Sequence, residues 1–297
     1  MKIWLNGHFV NSDEAKVSIF DAGLQHAVGL FETMLAKNKN VFRAEAHMKR
    51  LAESAKELRL AERLHVKPLL EAIKNTLDEN NLDQARVRLT LTGGDLNLLQ
   101  SKGKSQSNPT IFIVVQPPTE YPEEFFAKGV VVMIADGREN PLDPMAGHKT
   151  LNYWSRIGAL QLASGRGASE ALWFTVSNHL AAGSVSNVFL VEDGTLHTPI
   201  ARGEEEPGGL GSTVLPGITR NAIIELAAGL GLGTSRSMLT IDDLLGADEV
   251  FLTNSSWGVL PVVGVERETI GEGEVGELTQ RLRAGWLELV EQETRSI

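Results

Sequence analysis

The first third of the chain carries apolar residues at the spacings of both strands and helices. Residues 1–10 place alternating apolar residues before Asn-Gly, which predicts a strand, a tight turn and a second strand. Over residues 45–60 and 66–77 apolar residues recur every three or four positions, which predicts two amphipathic helices. Residues 86–92 alternate and residues 110–115 are almost wholly apolar, and both patterns are typical of strands.

A proline-rich segment separates this part from the rest of the chain. Residues 116–124 hold three prolines in nine positions, and proline both fixes φ and removes a donor from a strand ladder. We therefore expect an N-terminal α/β domain over residues 1–118, an interdomain loop over residues 119–125 and a C-terminal domain over residues 126–297.

Strand and helix patterns alternate in the C-terminal part, so the predicted fold class is α/β in two domains. Helices are predicted over residues 151–163, 220–230 and 277–294, and strands over residues 130–135, 170–176, 187–191 and 249–253. Residues 201–213 are rich in glycine and glutamate and lack an apolar pattern, so we expect a mobile surface loop there.

Charge and composition exclude several classes of function. The 28 Lys and Arg against 38 Asp and Glu give a net charge of −10, which disfavours binding to the phosphate backbone of a nucleic acid. Cysteine is absent, so disulfides, thiolate nucleophiles and cysteine-based zinc sites are excluded. The seven histidines lack the spacing of metal ligands, and we expect no metal site.

The chain has no apolar run of the length that crosses a membrane. The first residues also lack the apolar core of a signal peptide, because polar residues interrupt them early. We therefore expect a cytoplasmic protein that has no membrane partner.

Five segments contain residue combinations whose order and spacing are informative together. They are VSIFDAGLQHAVGLFET at residues 17–33, HMKRLAESA at residues 47–55, GHKTLNY at residues 147–153, PGITR at residues 216–220 and TNSSWGVLPV at residues 253–262. In this order they resemble the class IV (fold-type IV) aminotransferase superfamily. Its members use pyridoxal 5′-phosphate (PLP) and include branched-chain aminotransferases, D-amino acid aminotransferases and 4-amino-4-deoxychorismate lyases.

The resemblance implies a fold and an assembly as well as a cofactor. We expect a smaller N-terminal α/β domain and a larger, barrel-like C-terminal α/β domain that binds PLP. Members of the superfamily are usually homodimers, so a homodimer is expected here.

The resemblance assigns the attachment of the cofactor to Lys149, in the Lys-x-x-Asn-Tyr segment, where the lysine forms a Schiff base with PLP. Such a lysine works when its pKa is lowered, because only the uncharged amine attacks a carbonyl. We expect the start of the following helix to favour that uncharged form. Tyr153 is expected near the phenolic oxygen of the cofactor.

Residues of the other segments are assigned to the rest of the cofactor. Arg50 matches the phosphate-binding arginine, whose planar fork suits two phosphate oxygens, although alone it would be interpreted as a solvated helix charge. The backbone N–H groups of Ile218 and Thr219 stand at a helix start, which favours anions, and the Thr219 hydroxyl and Ser255 complete the phosphate site. Asn187 is also expected to bind the cofactor.

Substrate contacts are assigned to Phe31, Thr33 and Ser256, but the substrate stays open. D-Amino acid enzymes carry an Arg-x-His pair where residues 95–100 read DLNLLQ, which argues against that specificity. Branched-chain enzymes have Phe-Glu-Gly-x-Arg where residues 31–35 read FETML, so that match is partial. Thr33 is similar to 4-amino-4-deoxychorismate lyases. We therefore expect either an aminotransferase acting on a small amino acid or amine and a 2-oxo acid, or a lyase that releases 4-aminobenzoate and pyruvate.

One position departs from the superfamily pattern. Ala182 stands where members carry a glutamate that pairs with the protonated pyridine nitrogen of PLP. Loss of that carboxylate weakens the cofactor as an electron sink. Three interpretations are open: an active enzyme with another group or a water at the nitrogen, a repurposed and non-catalytic relative, or a deliberate substitution.

Overall fold

The structure is a computed structural model that describes residues 1–95 and 108–295. Most of the segment that argues against D-amino acid specificity, residues 96–100, lies outside the described residues. The chain divides into two compact units. Unit 1 comprises Met1–Thr119, His148–Asn152 and Val290–Ile297, and unit 2 comprises Glu120–Gly147 and Tyr153–Leu289.

The division differs from a simple cut in the sequence. The first change of unit, after Thr119, falls at the start of the expected interdomain loop. The short segment around Lys149 and the end of the chain then return to unit 1. Composition marks the proline-rich boundary, but it does not show backbone pairing with a strand more than a hundred residues earlier.

Unit 1 is built on a six-stranded sheet in the order β2-β1-β6-β5-β3-β4, and all of these strand pairs are antiparallel. Its elements are β1 (Lys2–Leu5), β2 (His8–Asn11), α1 (Ala22–His26), β3 (Gly29–Lys37), β4 (Asn40–Val41), α2 (Ala44–Glu57), α3 (Val66–Glu79), β5 (Ala85–Thr92) and β6 (Ile111–Gln116).

One face of this sheet forms the core of unit 1. Alternate residues of the strands, such as Met34 of β3 and Leu89 of β5, pack with the apolar stripes of α2 and α3, which include Leu51. Because side chains alternate along a strand, Phe31 and Thr33 lie on the opposite face of β3. The core thereby leaves the second face of β3 for other contacts.

Unit 2 contains a nine-stranded mixed sheet in the order β12-β11-β10-β13-β14-β7-β8-β9, with β15 paired to β14. Its elements are α4 (Glu124–Ala127), β7 (Val130–Glu139), α5 (Trp154–Gly165), β8 (Glu170–Thr175), β9 (Leu180–Gly183), β10 (Asn187–Glu192), β11 (Thr195–Pro199), α6 (Ile218–Gly229), β12 (Thr234–Ser237), α7 (Ile241–Gly246), β13 (Glu249–Asn254), β14 (Gly258–Val265), β15 (Glu268–Thr269) and α8 (Glu277–Thr294), whose last turn from Val290 belongs to unit 1.

Two apolar clusters cover opposite faces of β8. Leu172 belongs to the main core of unit 2, together with residues of β10, β13 and β14 such as Val188 and Leu252. Trp173 belongs to a smaller cluster with Met133 of β7 and Ala163 of α5. The two faces of β8 are therefore distinct environments.

The α/β fold class in two parts is confirmed, and the predicted elements correspond to observed ones within a few residues. Strand β3 was not predicted as a strand, because buried residues on both of its faces conceal the alternation. None of the helices in the described part of the chain is long and apolar enough to cross a membrane.

The glycine- and glutamate-rich segment at residues 201–213 is anchored, in contrast to the mobile loop expected from its composition. The Glu204 carboxylate accepts hydrogen bonds from Nη1 and Nη2 of Arg220 at 2.9 and 2.8 Å, and Arg236 Nε lies 3.1 Å from it. Ser212 Oγ donates to the Ile200 carbonyl at 2.6 Å. The anchors are charges outside the segment, so its own composition did not indicate them.

Candidate active site

Lys149 lies in an extended segment that pairs with β3. Phe31 N donates to the Lys149 carbonyl at 3.0 Å, and Leu151 N donates to the Gly29 carbonyl at 2.9 Å. The next helix, α5, begins only at Trp154, so the expected effect of a helix start on Lys149 is wrong. Strand pairing, instead of a helix terminus, holds the backbone of this lysine.

The Lys149 side chain lies over an aromatic ring on the second face of β3. Its Nζ is 4.4 Å from the centroid of the Phe31 ring. Thr33 shares this face and is paired in register with Arg88 of β5. The Arg88 guanidinium lies 3.9 Å from the same Phe31 centroid. One face of the sheet thus presents a lysine, an arginine, an aromatic ring and a hydroxyl.

Arg88 was missed by the sequence analysis. The signal was present, because the polar positions of the alternating Arg-Val-Arg segment belong to one face of the strand. Only the strand register shows that this face also carries Phe31 and Thr33. A guanidinium there is suited to a carboxylate, which it meets with two parallel N–H groups.

Arg50 is not a solvated helix charge, since its side chain is 11% exposed. It projects from α2 and meets the Glu32 carboxylate of β3 twice, through Nε at 2.9 Å and through Nη2 at 2.5 Å. His47 Nδ1, one turn earlier on α2, lies 2.8 Å from the same carboxylate. The three side chains form a buried cluster behind the face that carries Phe31.

Charge inside this cluster determines its protonation. Burial by itself would raise the pKa of Glu32, but the Arg50 charge and the His47 hydrogen bond lower the pKa to about 2. Burial lowers the pKa of His47, and the nearby charges of Arg50 and Lys149 act in the same direction. Glu32 is therefore an anion at neutral pH and holds the Arg50 side chain in place.

The segment before α6 forms a cup without a side chain at its centre. Gly217 is the N-cap residue and provides no side chain to the N–H groups of the first turn. A Cβ at Gly217 would lie 2.0 Å from Asn187 Oδ1, and Asn187 Nδ2 donates to the Leu215 carbonyl at 2.9 Å. Ile218 and Thr219, the next two residues, are buried at the helix start.

A buried hydroxyl beside this cup shows that the cup fits an anion. Thr253 is 1% exposed, and among the described residues its Oγ1 has no hydrogen-bond partner. Thr253 is the register partner of Asn187, so both side chains lie on the same face of the sheet. A buried hydroxyl without an acceptor is costly. The donor set suits a phosphate group such as that of PLP.

Arg220, next to Thr219, is not a phosphate ligand, because it is fully buried in another pairing. Its guanidinium is bound by Glu204, by the Pro199 carbonyl at 3.0 Å and by Thr198 Oγ1 at 3.2 Å. The pairing ties residues 201–213 to α6. It therefore supports the start of the helix from behind.

Ser255 and Ser256 lie in a turn organised by Asn254, a residue that the sequence analysis did not assign. Asn254 Oδ1 accepts hydrogen bonds from the backbone N–H groups of Ser256 at 2.8 Å and Trp257 at 3.0 Å. Its Nδ2 donates to the Val185 carbonyl at 3.2 Å. The Ser256 N–H is thus already engaged, and this residue is left with its hydroxyl for any ligand.

Ala182 is buried, 5% exposed, and its cross-strand partner is Trp173. Tyr153 stands at the N-cap of α5, and its ring centroid is 6.0 Å from the Arg156 guanidinium carbon. The sequence analysis assigned nothing to Trp173 or Arg156.

Comparison with known proteins agrees with this arrangement. The family model for class IV amino-transferases matches residues 29–265. The chain belongs to this family. A putative branched-chain-amino-acid aminotransferase of Methanocaldococcus jannaschii is 34% identical over 286 residues, which are 95% of this chain and 94% of that protein.

Solved structures of this class IV amino-transferase's relatives show the same fold. A branched-chain amino acid aminotransferase of T.th., solved with pyridoxamine 5′-phosphate, has a TM-score of 0.88 and 30% identity, covering 99% of this chain and 95% of that chain. A 4-amino-4-deoxychorismate lyase of Pseudomonas aeruginosa has a TM-score of 0.81 and 27% identity, covering 96% and 98%. The expected superfamily is confirmed.

The predicted residues of this class IV amino-transferase lie in both units. Unit 1 holds Lys149, Arg50, Phe31 and Thr33. Unit 2 holds the other predicted residues, Tyr153, Ala182, Asn187, Ile218, Thr219, Ser255 and Ser256. Among the described residues no group of three or more His, Asp or Glu side chains is arranged to hold a metal ion.

Proposed function

We propose that this class IV amino-transferase uses PLP to move an amino group between a small amino acid or amine and a 2-oxo acid. The position of Lys149 carries the proposal: its backbone is paired with β3, and its Nζ lies 4.4 Å from the Phe31 centroid. The T.th. relative was solved with pyridoxamine 5′-phosphate and with N-(5′-phosphopyridoxyl)-L-glutamate. These complexes support the choice of cofactor.

The phosphate of the cofactor would be held at the start of α6. The N–H groups of Ile218 and Thr219 and the Thr219 hydroxyl are the proposed donors, and Ser255 and Arg50 add a hydroxyl and a cation. Asn187 shapes the cup through its contact with Gly217. The uncapped helix start and the unpartnered Thr253 hydroxyl support this assignment.

Lys149 is the proposed catalytic residue. When bound, the cofactor withdraws electrons from the α-carbon of the amino substrate and so acidifies its proton. Lys149 would accept that proton at Nζ and return it, a role that contributes about 10²- to 10⁴-fold in rate. Tyr153 would orient the ring through its phenolic oxygen.

The substrate would lie against the second face of β3. Phe31 and Thr33 offer an aromatic surface and a hydroxyl, and Arg88 beside them is suited to a substrate carboxylate. Ser256 offers a further hydroxyl. The branched-chain names of the relatives support an apolar substrate side chain.

A lyase that converts 4-amino-4-deoxychorismate to 4-aminobenzoate and pyruvate is the second candidate. The similarity to the Pseudomonas aeruginosa lyase favours it, although the relatives named aminotransferases are more similar. A non-catalytic relative, suggested by Ala182, is the third.

We further propose a cytoplasmic homodimer that acts on small molecules and binds neither nucleic acid nor membrane. The net charge of −10 supports the exclusion of nucleic acid. Exposed apolar side chains on α5, among them Trp154, support an assembly.

Lys149→Ala tests the proposal. Borohydride should attach PLP to the wild-type protein at the peptide that contains Lys149, and the variant should lose both this adduct and at least about 10²-fold in turnover. Lys128→Ala is the matched control, because that lysine side chain is 73% exposed. Substrates to assay are branched-chain L-amino acids, L-glutamate, D-alanine, (R)-amines and aminodeoxychorismate.

The outcomes separate the three candidates. Amino transfer from one of the donors supports the first, and release of pyruvate from aminodeoxychorismate supports the lyase. Attachment of PLP at Lys149 without turnover of any substrate supports the non-catalytic relative. An adduct on another lysine would overturn the assignment of Lys149.

A further inference from the structure

The face of β9 that carries Ala182 has a defined set of neighbours. Trp173 of β8 is the cross-strand partner of Ala182, so the indole and the alanine methyl lie on one face of the sheet. Trp173 Nε1 donates to Ser184 Oγ at 2.9 Å, which places Ser184 on that face as well. A glutamate at position 182 would extend into these surroundings.

A cation from α5 lies at the same place. Arg156 Nη1 donates to the Gly183 carbonyl at 3.0 Å, one peptide unit from Ala182. The Arg156 guanidinium carbon is 5.7 Å from the centroid of the Trp173 ring. Arg156 Nη2 pairs with Glu139 of β7 at 2.8 Å, and the Arg156 side chain is 20% exposed. The guanidinium is thus fixed by a carbonyl on one side and a carboxylate on the other.

The other charges nearby do not replace the missing glutamate. Glu170 is fully buried and accepts from the backbone N–H groups of Ser184 and Val185 at 3.1 Å each. It shares its face of β8 with Leu172, opposite to Trp173, because residues two apart on a strand point the same way. Arg138 donates to the Ala135 and Gly137 carbonyls.

We propose that Arg156 keeps the pyridine nitrogen of the bound cofactor unprotonated. This inference rests on the proposed function, in which the residue at position 182 faces that nitrogen. In relatives with a glutamate, a negative charge there stabilises the protonated ring; in the described part of this chain the charge beside position 182 is the Arg156 guanidinium. A nearby cation disfavours a second positive charge and lowers the pKa of the group that would carry it.

The consequence is a cofactor with a weaker pull on the α-carbon electrons than in relatives with the carboxylate. Arg156 does not contact the substrate in this account; it is a positioning residue that acts on the cofactor through its charge. Glu139 holds the guanidinium in place and attenuates its field. Ala182 and Arg156 are then two parts of one arrangement.

The experiment is a measurement of the ring nitrogen itself. PLP labelled with ¹⁵N in the ring is bound to the holoenzyme, and the ¹⁵N chemical shift distinguishes a protonated from an unprotonated pyridine. The wild-type protein should give the unprotonated signal near neutral pH. Ala182→Glu should give the protonated signal.

Variants at Arg156 separate charge from hydrogen bonding. Arg156→Gln retains a donor for the Gly183 carbonyl but removes the charge, so the pKa of the ring nitrogen should rise by about one unit or more, near tenfold in the protonated ratio. Arg156→Lys keeps the charge and should stay unprotonated. Arg138→Gln, a neighbouring arginine bound only to backbone carbonyls in the described structure, is the matched control and should leave the signal unchanged.

Each failure has its own signature. If the wild-type protein does not attach PLP at Lys149, the proposed function fails before the ring nitrogen is measured. If PLP attaches there and the nitrogen is protonated in the wild type, or is equally unprotonated in Arg156→Gln, the inference about Arg156 is wrong. Circular dichroism of each variant identifies loss of fold, and Arg156→Lys then supplies the second test.

Discussion

Buried charges in this protein are neutralised in different ways. Glu32 is paired with Arg50 and contacts His47. Glu170, also fully buried, has backbone and serine donors, and burial raises its pKa although these donors oppose the rise. A buried charge that loses its partner is strongly destabilising. The residues that hold Arg50 are therefore as necessary to the site as Arg50 itself.

Glu32→Gln is expected to destabilise unit 1 by about 3–5 kcal/mol at neutral pH, because it leaves Arg50 buried without a carboxylate. The folded pKa of Glu32, about 2, lies below the ordinary 4.5. Glu32 therefore stabilises the wild type above pH 4.5, and this contribution is lost as the pH falls from about 4.5 to about 2. The variant should lack that part of the pH dependence.

Hydrogen exchange of the α2 amides at several pH values measures the effect of Glu32→Gln in unit 1 alone. Glu53→Gln on the same helix is the control, because Glu53 is 66% exposed and its closest cation is 3.9 Å away. Equal protection of α2 in the wild type and Glu32→Gln would contradict the role of Glu32.

At the scale of elements, the function of α6 depends on how the helix begins. Gly217 has no side chain, and Asn187 of β10 occupies the space that a Cβ would need. The helix start and the strand are thus fitted to each other by one glycine and one amide. The proposed phosphate site is a product of this fit.

Gly217→Ala should weaken PLP binding at least tenfold while the protein stays folded. The added Cβ would lie 2.0 Å from Asn187 Oδ1, so either the amide or the helix start must move away from the phosphate. Titration with PLP measures the dissociation constant. Gly229→Ala, at the other end of α6, is the control: its Cβ meets nothing within 4 Å, and we expect unchanged affinity and equal or slightly higher stability. Unchanged affinity in Gly217→Ala would remove the cup from the phosphate site.

At the scale of the whole molecule, large apolar side chains are exposed on α5. Trp154 is 88% exposed, and Ile157 and Leu162 are 40% and 41% exposed. Exposed apolar groups of this size on one helix are typical of an interaction surface. They favour the proposed homodimer.

Sedimentation at micromolar concentration should give about twice the 32.3 kDa mass of the chain. Trp154→Glu should weaken the association at least tenfold, since buried tryptophans often contribute more than about 1.4 kcal/mol to an interface. Met238→Glu is the control, because Met238 is 60% exposed and lies outside α5. A wild-type monomer would contradict the dimer, and an unaffected dimer in Trp154→Glu would place the interface elsewhere.

The sequence by itself determined the features that depend on short stretches of chain. The amphipathic helices α2 and α3 follow from a local period, and the start of α6 follows from Pro-Gly before a helical pattern. The superfamily and the candidate Lys149 follow from five short segments in order, and the family is confirmed. Local patterns suffice here because a period, a cap or a motif is contained in a few consecutive residues.

Only the tertiary structure decided which distant residues share a face. Arg88 stands beside Phe31 because of the register of β3 and β5, and Arg156 lies near Ala182 because α5 covers that face of β8. The anchoring of residues 201–213 depends likewise on Arg220 and Arg236. Such pairings depend on strand register and helix packing, which no short stretch of sequence contains, and a shift of one residue along a strand turns every side chain to the other face.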